Sequence, residues 1–560
     1  MPTTALSRSA ACLIEKTARP LCLVAEGPRP FRRTAWAGAA AVGFVLNVLI
    51  LAASASGQLA AAPAPATFFI REYRVSGAKT LPRDQVEAAV YPFLGPSRTR
   101  DDVEAARAAL EKAYRDLGYQ SVAVQIPEQR ADKGVVRLRV LEGVVGRLRV
   151  KGARYYSPQL IREMAPSVAE GKVVDFNTIP RDMVALNQVP DRRVTPALRQ
   201  GSDPGTVDID LNVKDTLPVH GSLELNNRYS PNTSSLRLNG AVSDNNALDR
   251  GDSAGLSFQL APQRMADAKV LSAYYLARFP RNPDLSVLLQ GTKQDSAVST
   301  LGGAAVAGRG EIAGARVILV LSGGARLYQS LSLGFDFKHF EQNVAIAGTT
   351  LAAPITYFPV TAAYAATAGE PGRLTELNAA VTLHLRGLGS SPATFDTRRY
   401  DADGGFIYLR ADASHTRSLP LGWEAFGKVQ GQLADRPLLD SEESSGGGLG
   451  TVRGYPESTV IGDSAVFGTV EIRGPSLARW LKRARGEWRI YAFADGGAVF
   501  VNRALPEQAS HFTLASYGLG TRIRMLDHFN GSLDAALPLI SQDPVRALDP
   551  FLTFRMWSDF

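Results

Sequence analysis

The chain ends with Pro550-Phe-Leu-Thr-Phe-Arg-Met-Trp-Ser-Asp-Phe560, and this stretch decides the fold. Alternation with a period of two predicts a β-strand, and its mostly apolar face would carry Leu552, Phe554, Met556, Ser558 and Phe560. A barrel in lipid needs a last strand that pairs with the first, because lipid cannot satisfy an open strand edge. We therefore predict a barrel-closing strand with Phe554, Met556 and Phe560 as its C-terminal signal.

Upstream of this strand, from about Pro218, short alternating stretches recur between loops rich in Gly, Asn, Asp and Pro, and no amphipathic helix is predicted. Over residues 218–560 each strand with its loop would have about 21 residues, which suits tilted strands of about 9–11 residues that cross a bilayer. A β-sandwich or a β-propeller would also show such alternation, but the closing strand and the even count favour a transmembrane β-barrel of 16 antiparallel strands. The predicted strands begin near Val219, Ser234, Gly251, Ala268, Asp284, Glu311, Ala325, Pro354, Arg373, Gly404, Gly422, Gly462, Glu487, Thr513, Asn530 and Pro550.

Before the barrel, one unit of the sequence occurs twice. The segment Arg71–Lys79 is echoed by Gly146–Arg154, each an alternating strand that ends at a glycine. The first copy continues with a short helix near Pro82, and its second helix begins at Thr99 with Asp102 as its capping partner. We predict two α+β modules of order βααββ, at 68–142 and 143–216.

The N-terminal region has the order of a secretory leader. An apolar run from Trp36 to Ala53 follows three arginines and ends in Ala53-Ser-Ala55. We expect a signal peptide at 1–55 and a linker at 56–67. Since this region is long for such a leader, the start codon could be placed too early. A membrane anchor is the alternative, since such a run could also span a bilayer.

Several function classes are disfavoured by composition. Residues 1–66 hold six basic and two acidic residues, so the rest of the chain carries a net charge of only +4, with no basic run interleaved with aromatics, and we expect no nucleic-acid partner. Six scattered histidines show no metal-ligand spacing, both cysteines precede the apolar run, and the glycines of 446–450 lack the Lys-Ser/Thr of a phosphate loop. We expect no enzyme activity, no cofactor and no metal, and we interpret 446–450 as a flexible loop stem.

Two motifs in the barrel carry a resemblance to a known family. Val452-Arg453-Gly454-Tyr455, in the loop around 435–461, resembles the inward-folded loop motif of the two-partner secretion transporters, which are the TpsB type of the POTRA plus β-barrel superfamily. The segment Phe493-Ala-Asp495-Gly-Gly497 is similar to the strand motif of that family. The segment Asp244–Asp252 resembles its first extracellular connection. The resemblance covers about residues 68–560 and implies that both modules are POTRA domains.

The chemistry of the two motifs agrees with this resemblance. A guanidinium can bond a carboxylate through two parallel N–H groups, so Arg453 would lock the loop to Asp495 inside a wet lumen. Gly454 would permit a tight turn, Tyr455 would pack beside it, and Gly496 and Gly497 would leave room at the wall for the loop tip. The alternative is that Arg453 is a solvated loop charge and Asp495 a lumen carboxylate without a partner.

By resemblance, the chain lies in the bacterial outer membrane with its POTRA domains in the periplasm. These domains would bind an unfolded secreted exoprotein through an added strand at a sheet edge, and the barrel would translocate it. Outer-membrane lipid and the barrel-assembly machinery that inserts the chain would be its further partners. Residues 56–67 leave little room for the plug helix that is common in this family. The rival interpretations are an outer-membrane protein assembly factor and a passive porin.

Overall fold

The computed structural model describes residues 67–130, 133–280, 282–299, 306–321, 326–341, 343–346, 349–352, 354–478, 486–526 and 528–560. The expected signal peptide and almost all of the expected linker lie outside the described residues, as do both cysteines. No helix among the described residues is both long and apolar enough to cross a membrane.

The first module forms a three-stranded sheet of order β2-β5-β4, in which β2 and β5 are parallel. Its second helix begins at the predicted position, because the Thr99 hydroxyl accepts from the backbone N–H of Asp102 while the Asp102 carboxylate accepts from the Thr99 N–H. A small antiparallel pair, β1 with β3, adds to the predicted order βααββ. The elements are β1 (Phe68–Ile70), β2 (Glu72–Ser76), α1 (Arg83–Val90), β3 (Gly95–Arg98), α2 (Arg100–Asp116), β4 (Ala123–Gln125) and β5 (Val135–Leu141).

The second module repeats this arrangement, with β6 and β8 parallel and β7 antiparallel at the edge of the sheet. Its buried core includes Ile161, Leu186, Ile209 and Leu211, which come from both helices and from β8. The order βααββ holds here without an additional pair. The elements are β6 (Val144–Lys151), α3 (Pro158–Glu163), α4 (Ile179–Leu186), β7 (Arg192–Gln200) and β8 (Thr206–Asp215).

The C-terminal part is a closed antiparallel barrel, and its sixteen strands within the described residues confirm the predicted count. The eighth strand is split into β18 and β19, both paired with β15, and Pro359 lies at the break because it lacks an N–H to donate. The segments are β9 (Val219–Asn226), β10 (Arg237–Ala247), β11 (Asp252–Leu260), β12 (Ala268–Arg278), β13 (Leu285–Ser299), β14 (Val306–Leu321), β15 (Leu327–Glu341), β18 (Ile355–Tyr357), β19 (Val360–Glu370), β20 (Arg373–His384), β21 (Phe406–Ser418), β22 (Glu424–Ala434), β25 (Ser464–Arg473), β26 (Gly486–Phe500), β27 (His511–Met525), β28 (Phe529–Pro538) and β29 (Phe551–Asp559).

Alternation along the strands gives the barrel an apolar outside and a polar inside, as lipid on one face and a lumen on the other require. Outward side chains include Leu223, Val317, Leu333, Val381, Leu409, Val470, Ile472 and Leu533. Inward and buried side chains include Lys338, Asp336, Thr382, Gln432, Glu471, Asp495 and Asp534.

The last strand closes the barrel against the first. Strand β29 pairs antiparallel with β9, and the backbone N–H and carbonyl of Phe560 exchange hydrogen bonds of 3.0 Å with Gly221. Leu552, Met556 and Phe560 point outward and are more than half exposed, as a lipid-facing row would be. Phe554 shares their spacing and is half-buried.

Within the described part of the barrel, one short α-helix interrupts the β-structure, where the sequence predicted strands and loops and no amphipathic helix after Pro218. The segment Pro392–Arg398 forms α5, whose Ser391 side chain accepts from the backbone N–H of Thr394. Phe395 of this helix packs against the rings of Tyr357 and His384. Helix α5 is short and has one buried side chain, so the sequence lacks the repeated apolar spacing that identifies a longer helix.

The second module contacts the rim of the barrel through charged and polar side chains. The Asp191 carboxylate accepts from the amide of Asn245 at 2.8 Å and lies 2.8 Å from Nε2 of His220. The Asn246 amide donates to the carbonyl of Tyr155 at 2.8 Å. The turn between β10 and β11 therefore lies at the module end of the barrel, so the extracellular assignment of Asp244–Asp252 is wrong. Strand direction alternates, and a sequence motif does not reveal which end a hairpin occupies.

Candidate functional site: a loop anchored inside the barrel

The candidate site is the loop of residues 435–463, which joins β22 to β25 at the end of the barrel opposite the modules. Instead of extending outward it turns into the lumen, and Leu438, Glu442, Val452 and Tyr455 are buried there. Two short strands, β23 (Ser444–Gly446) and β24 (Val460–Gly462), pair within it. A second short pair, β16 (Asn343–Ile346) with β17 (Thr349–Ala352), lies in the connection between β15 and β18.

The glycine run 446–450 is folded, which differs from the interpretation of a flexible stem. The backbone N–H of Gly447 donates to the Thr451 hydroxyl at 2.9 Å, and the N–H of Gly448 donates to the Tyr455 carbonyl at 3.0 Å. Both glycines have a positive φ. Glycine-rich composition permits such backbone turns as well as flexibility, so it did not distinguish the two.

Arg453 lies at the tip of the loop and contacts the barrel wall through its whole guanidinium. Its Nε and Nη2 donate to the two carboxylate oxygens of Asp495, each at 2.7 Å, and its backbone N–H donates to Asp495 at 3.0 Å. Its Nη1 donates to Glu471 at 2.7 Å and lies 3.7 Å from the carboxylate of Asp534. We call Arg453 with these three carboxylates the tip anchor.

The charges of the tip anchor are balanced within the lumen. Burial opposes the guanidinium charge, but hydrogen bonds and the negative charges of Asp495, Glu471 and Asp534 outweigh it and raise the pKa of Arg453. Arg473 and Arg522 also contact Glu471, at 2.9 and 3.4 Å. The buried charges are therefore paired, which is what a low-dielectric site requires.

An aromatic ring completes the contact surface for the guanidinium. The carbon at the centre of the Arg453 guanidinium lies 3.5 Å from the ring centroid of Phe493, so the planar cation stacks on the π face. The two motif residues of β26, Phe493 and Asp495, both point into the lumen because they are two positions apart. Phe493 therefore covers the face of the Arg453 guanidinium, and Asp495 accepts hydrogen bonds along its edge.

Gly454 and Tyr455 shape the turn beside the arginine. Gly454 has φ +91°, and a Cβ there would lie 3.3 Å from Cβ of Ala536, so both conformation and space favour glycine. The hydroxyl of the buried Tyr455 donates to the carbonyls of Ala515 and Ile540 at 3.1 and 2.7 Å. Val452 is fully buried in the same apolar cluster as Tyr455.

The two wall glycines occupy different positions from those expected. Gly496 alternates with Asp495 and so belongs to the outer face of β26, where it cannot make room in the lumen. Gly497 points inward, but the ring of Phe467 on β25 lies over it. Phe467 belongs to the cluster that holds Val452 and Tyr455. The expectation of empty wall space for the loop tip is therefore wrong, because a neighbouring strand fills it.

Glu471 and Asp534 are partners of Arg453 that neither motif contains. Glu471 lies between the lipid-facing Val470 and Ile472, and Asp534 follows the lipid-facing Leu533, so alternation could have placed both carboxylates in the lumen. Alternation does not tell which lumen carboxylates the loop reaches. Among the described residues, no group of His, Cys, Asp and Glu side chains is arranged to hold a metal ion.

Comparison with family models decides which family this architecture represents. The model for the haemolysin secretion/activation protein ShlB/FhaC/HecB matches residues 205–523, more than half of the chain. The chain belongs to this family. The model for the ShlB-type POTRA domain matches residues 68–143. As a ShlB/FhaC/HecB member, the chain has its barrel in the bacterial outer membrane and its POTRA region in the periplasm.

Individual relatives of this ShlB/FhaC/HecB member are distant in sequence. The outer membrane transporter CdiB of Escherichia coli O6:K15:H31 is 27% identical over 205 residues, which are 35% of this chain and 34% of that protein, so the aligned part spans about a third of the relative. CdiB of Dickeya dadantii is 22% identical over 498 residues, 82% of this chain and 81% of that protein. The solved structure of CdiB from Escherichia coli has a TM-score of 0.64 at 21% identity and covers 91% of this chain and 93% of that one, which shows a shared fold.

Proposed function

We propose that this protein captures an unfolded exoprotein in the periplasm and secretes it through its barrel. The observation that carries the proposal is the loop of residues 435–463, which lies in the lumen and is held by the tip anchor. A passive pore has no need of a buried, charge-paired constriction of this kind. A conduit that has to stay shut until its cargo arrives does need one.

The N-terminal modules support the capture step. We propose that the chain divides into modules at 68–142 and 143–216 and a barrel at 218–560, and that the second module is a second POTRA domain. Its sheet has the same parallel and antiparallel pairings as the first. Strands β2 and β4 form the edges of one sheet and β6 and β7 those of the other. An extended cargo could add a strand at such an edge through backbone hydrogen bonds, which tolerate varied sequence.

The tip anchor supports a gating or alignment role for the loop. We propose that Val452, Arg453, Gly454 and Tyr455 act with Phe493, Asp495 and Gly497 to set the resting position of the loop, which shifts when cargo enters. Nucleotides are absent from the periplasm, so the driving force would come from folding of the exoprotein outside the cell. The protein would be a transporter without enzyme activity and without a cofactor or nucleic-acid ligand.

The outer surface and the last strand support the remaining partners. The apolar belt formed by side chains such as Leu333, Leu409 and Val470 would contact outer-membrane lipid. Phe554, Met556 and Phe560 would serve as the signal that the barrel-assembly machinery reads when it inserts the chain. A role of this protein as an assembly factor for other barrels is the alternative function, and the family match favours secretion over it.

Secretion of a matched exoprotein tests the proposal. The chain is expressed with the exoprotein encoded beside its gene, and the exoprotein is measured in the medium and in the periplasm. We expect it in the medium with the intact chain and in the periplasm with a chain that lacks both modules but still inserts. Unchanged secretion without the modules would contradict the capture step. A general loss of outer-membrane proteins on deletion of the gene would favour the assembly function instead.

A further inference from the structure

Glu442 lies in the stem of the lumen loop, ten residues before the motif, and is fully buried. One carboxylate oxygen, Oε1, accepts from the Tyr357 hydroxyl at 2.6 Å and from the ammonium of Lys338. The other, Oε2, accepts from the Tyr408 hydroxyl at 2.7 Å. Three donors from the barrel wall thus converge on one loop carboxylate.

The backbone of the stem is held as well. The carbonyl of Glu442 accepts from the guanidinium of Arg410 at 2.8 Å and from the amide of Gln432 at 3.0 Å. The neighbouring Leu438 and Leu439 are buried in an apolar cluster that includes Phe395 of α5. The stem therefore has a charged contact, backbone contacts and an apolar contact with the wall.

We propose that Glu442, with Lys338, Tyr357 and Tyr408, forms a second attachment point that keeps the loop across the lumen and has to release before the pore opens. We call this group the stem anchor. The proposal rests on the gating role of the loop proposed above, and it adds a group of residues that neither the motif nor the family resemblance contains.

The position of the stem anchor is what gives it this role. Lys338, Tyr357 and Tyr408 belong to β15, β18 and β21, which precede the root of the loop at β22. The three carboxylates of the tip anchor belong to β25, β26 and β28, which follow β22 in the barrel. The two anchors share no residue and lie on opposite sides of the root. A loop held on both sides spans the lumen, whereas a loop held at its tip alone could swing on its stem.

The chemistry of the stem anchor fits a latch that is either closed or released. A buried carboxylate that loses one of its charged or hydroxyl partners is left uncompensated, and water can restore its solvation only if the stem moves. The attachment is therefore expected to be cooperative, since loss of Lys338 weakens the reason for Glu442 to remain buried. Partial release would leave a charge without a partner in a dry site.

Single-channel recording tests the stem anchor without any exoprotein. The full chain is purified in detergent and inserted into planar bilayers, and the time-averaged current is measured in potassium chloride. We expect Glu442→Gln and Lys338→Met each to raise this current at least about tenfold, because each leaves the other partner buried without its counter-charge. The double variant should rise by much less than the product of the two single effects, as coupled residues do. Glu507→Gln, which removes an exposed carboxylate from the loop between β26 and β27, should change nothing.

Conservative variants separate a latch from a merely structural contact. Lys338→Arg keeps the charge and should restore most of the closed state that Lys338→Met loses. Tyr357→Phe with Tyr408→Phe removes only two hydroxyl groups and should open the channel while the barrel still shows heat-modifiable migration on a gel. Current in this variant and in Lys338→Met that stays within about twofold of the unchanged chain would overturn the stem anchor. Opened channels in a chain that secretes no exoprotein would instead sustain the stem anchor and contradict the proposed function.

Discussion

Arg453 and Asp495 are joined by three N–H donors, the backbone N–H, Nε and Nη2 of one arginine, all directed at a single carboxylate. The backbone donor fixes the position of the chain, and the two side-chain donors fix the orientation of the guanidinium. The contact therefore locates the loop tip relative to β26 in both distance and angle. Stacking on Phe493 adds a third constraint, because it sets the plane of the cation.

Replacing Arg453 is expected to weaken the attachment of the loop more than replacing Asp495 does. Arg453→Ala leaves Asp495 and Asp534 buried without this cation, a loss of about 3–5 kcal/mol in loop attachment. Asp495→Asn keeps the Glu471 contact at 2.7 Å and should have a smaller effect. Arg453→Lys keeps the charge but not the paired N–H groups, and should fall between the two. The amount of secreted exoprotein per inserted barrel is measured for all three variants. If all three insert normally and secrete as much as the unchanged chain, the tip anchor has no role.

Gly454 is expected to reject a side chain. Gly454→Ala would place a residue with a Cβ at φ +91° and bring that Cβ within 3.3 Å of Ala536, at a cost of roughly 1–2 kcal/mol. The docked loop should become easier to release, which protease sensitivity of the loop in intact cells would report. Gly450→Ala is the matched control, since a Cβ there meets nothing within 4 Å. Similar sensitivity in both variants would argue against a strained turn at Gly454.

The docked loop is expected to loosen as pH rises. Burial, followed by the charges of Asp440 and Asp463, raises the pKa of Glu443 from 4.5 to about 8, while Arg399 opposes the shift. The docked loop thus holds a proton that the released loop gives up near pH 4.5, so this contribution to docking is complete below that pH and is lost as pH rises to about 8. Channel current should increase between about pH 4.5 and 8 and level off above that, and Glu443→Gln should remove this dependence. A pH profile that Glu443→Gln leaves unaltered would assign the effect to another group.

The start of α2 in the first module depends on one side chain. Thr99→Ala removes the hydroxyl that accepts from the N–H of Asp102 and should lower the free energy of unfolding by about 1 kcal/mol. Urea unfolding of a soluble fragment that contains both modules measures this value. Thr178 is the control, because it precedes α4 without a side-chain cap hydrogen bond. An equal loss in Thr178→Ala would show that the effect is not capping.

The local pattern of the sequence was enough to predict the strands. A strand in a lipid-embedded barrel needs one apolar face and one polar face, so apolar and polar residues alternate along it. The count of sixteen, the closing strand Phe551–Asp559 and the capped helix after Thr99 all follow from neighbours within a few residues. The sequence motifs also singled out Arg453 and Asp495, which the structure places in contact.

Tertiary structure alone decided which distant groups meet in the lumen. Glu471 and Asp534 reach Arg453, and Lys338 reaches Glu442, only because the barrel curves and the loop folds back between its walls. The same closure put Asp244–Asp252 beside the second module and laid Phe467 over Gly497. Alternation determines which side of a strand a residue faces. Which partner the residue meets there depends on the path of the whole chain, and a short stretch of residues does not determine that path.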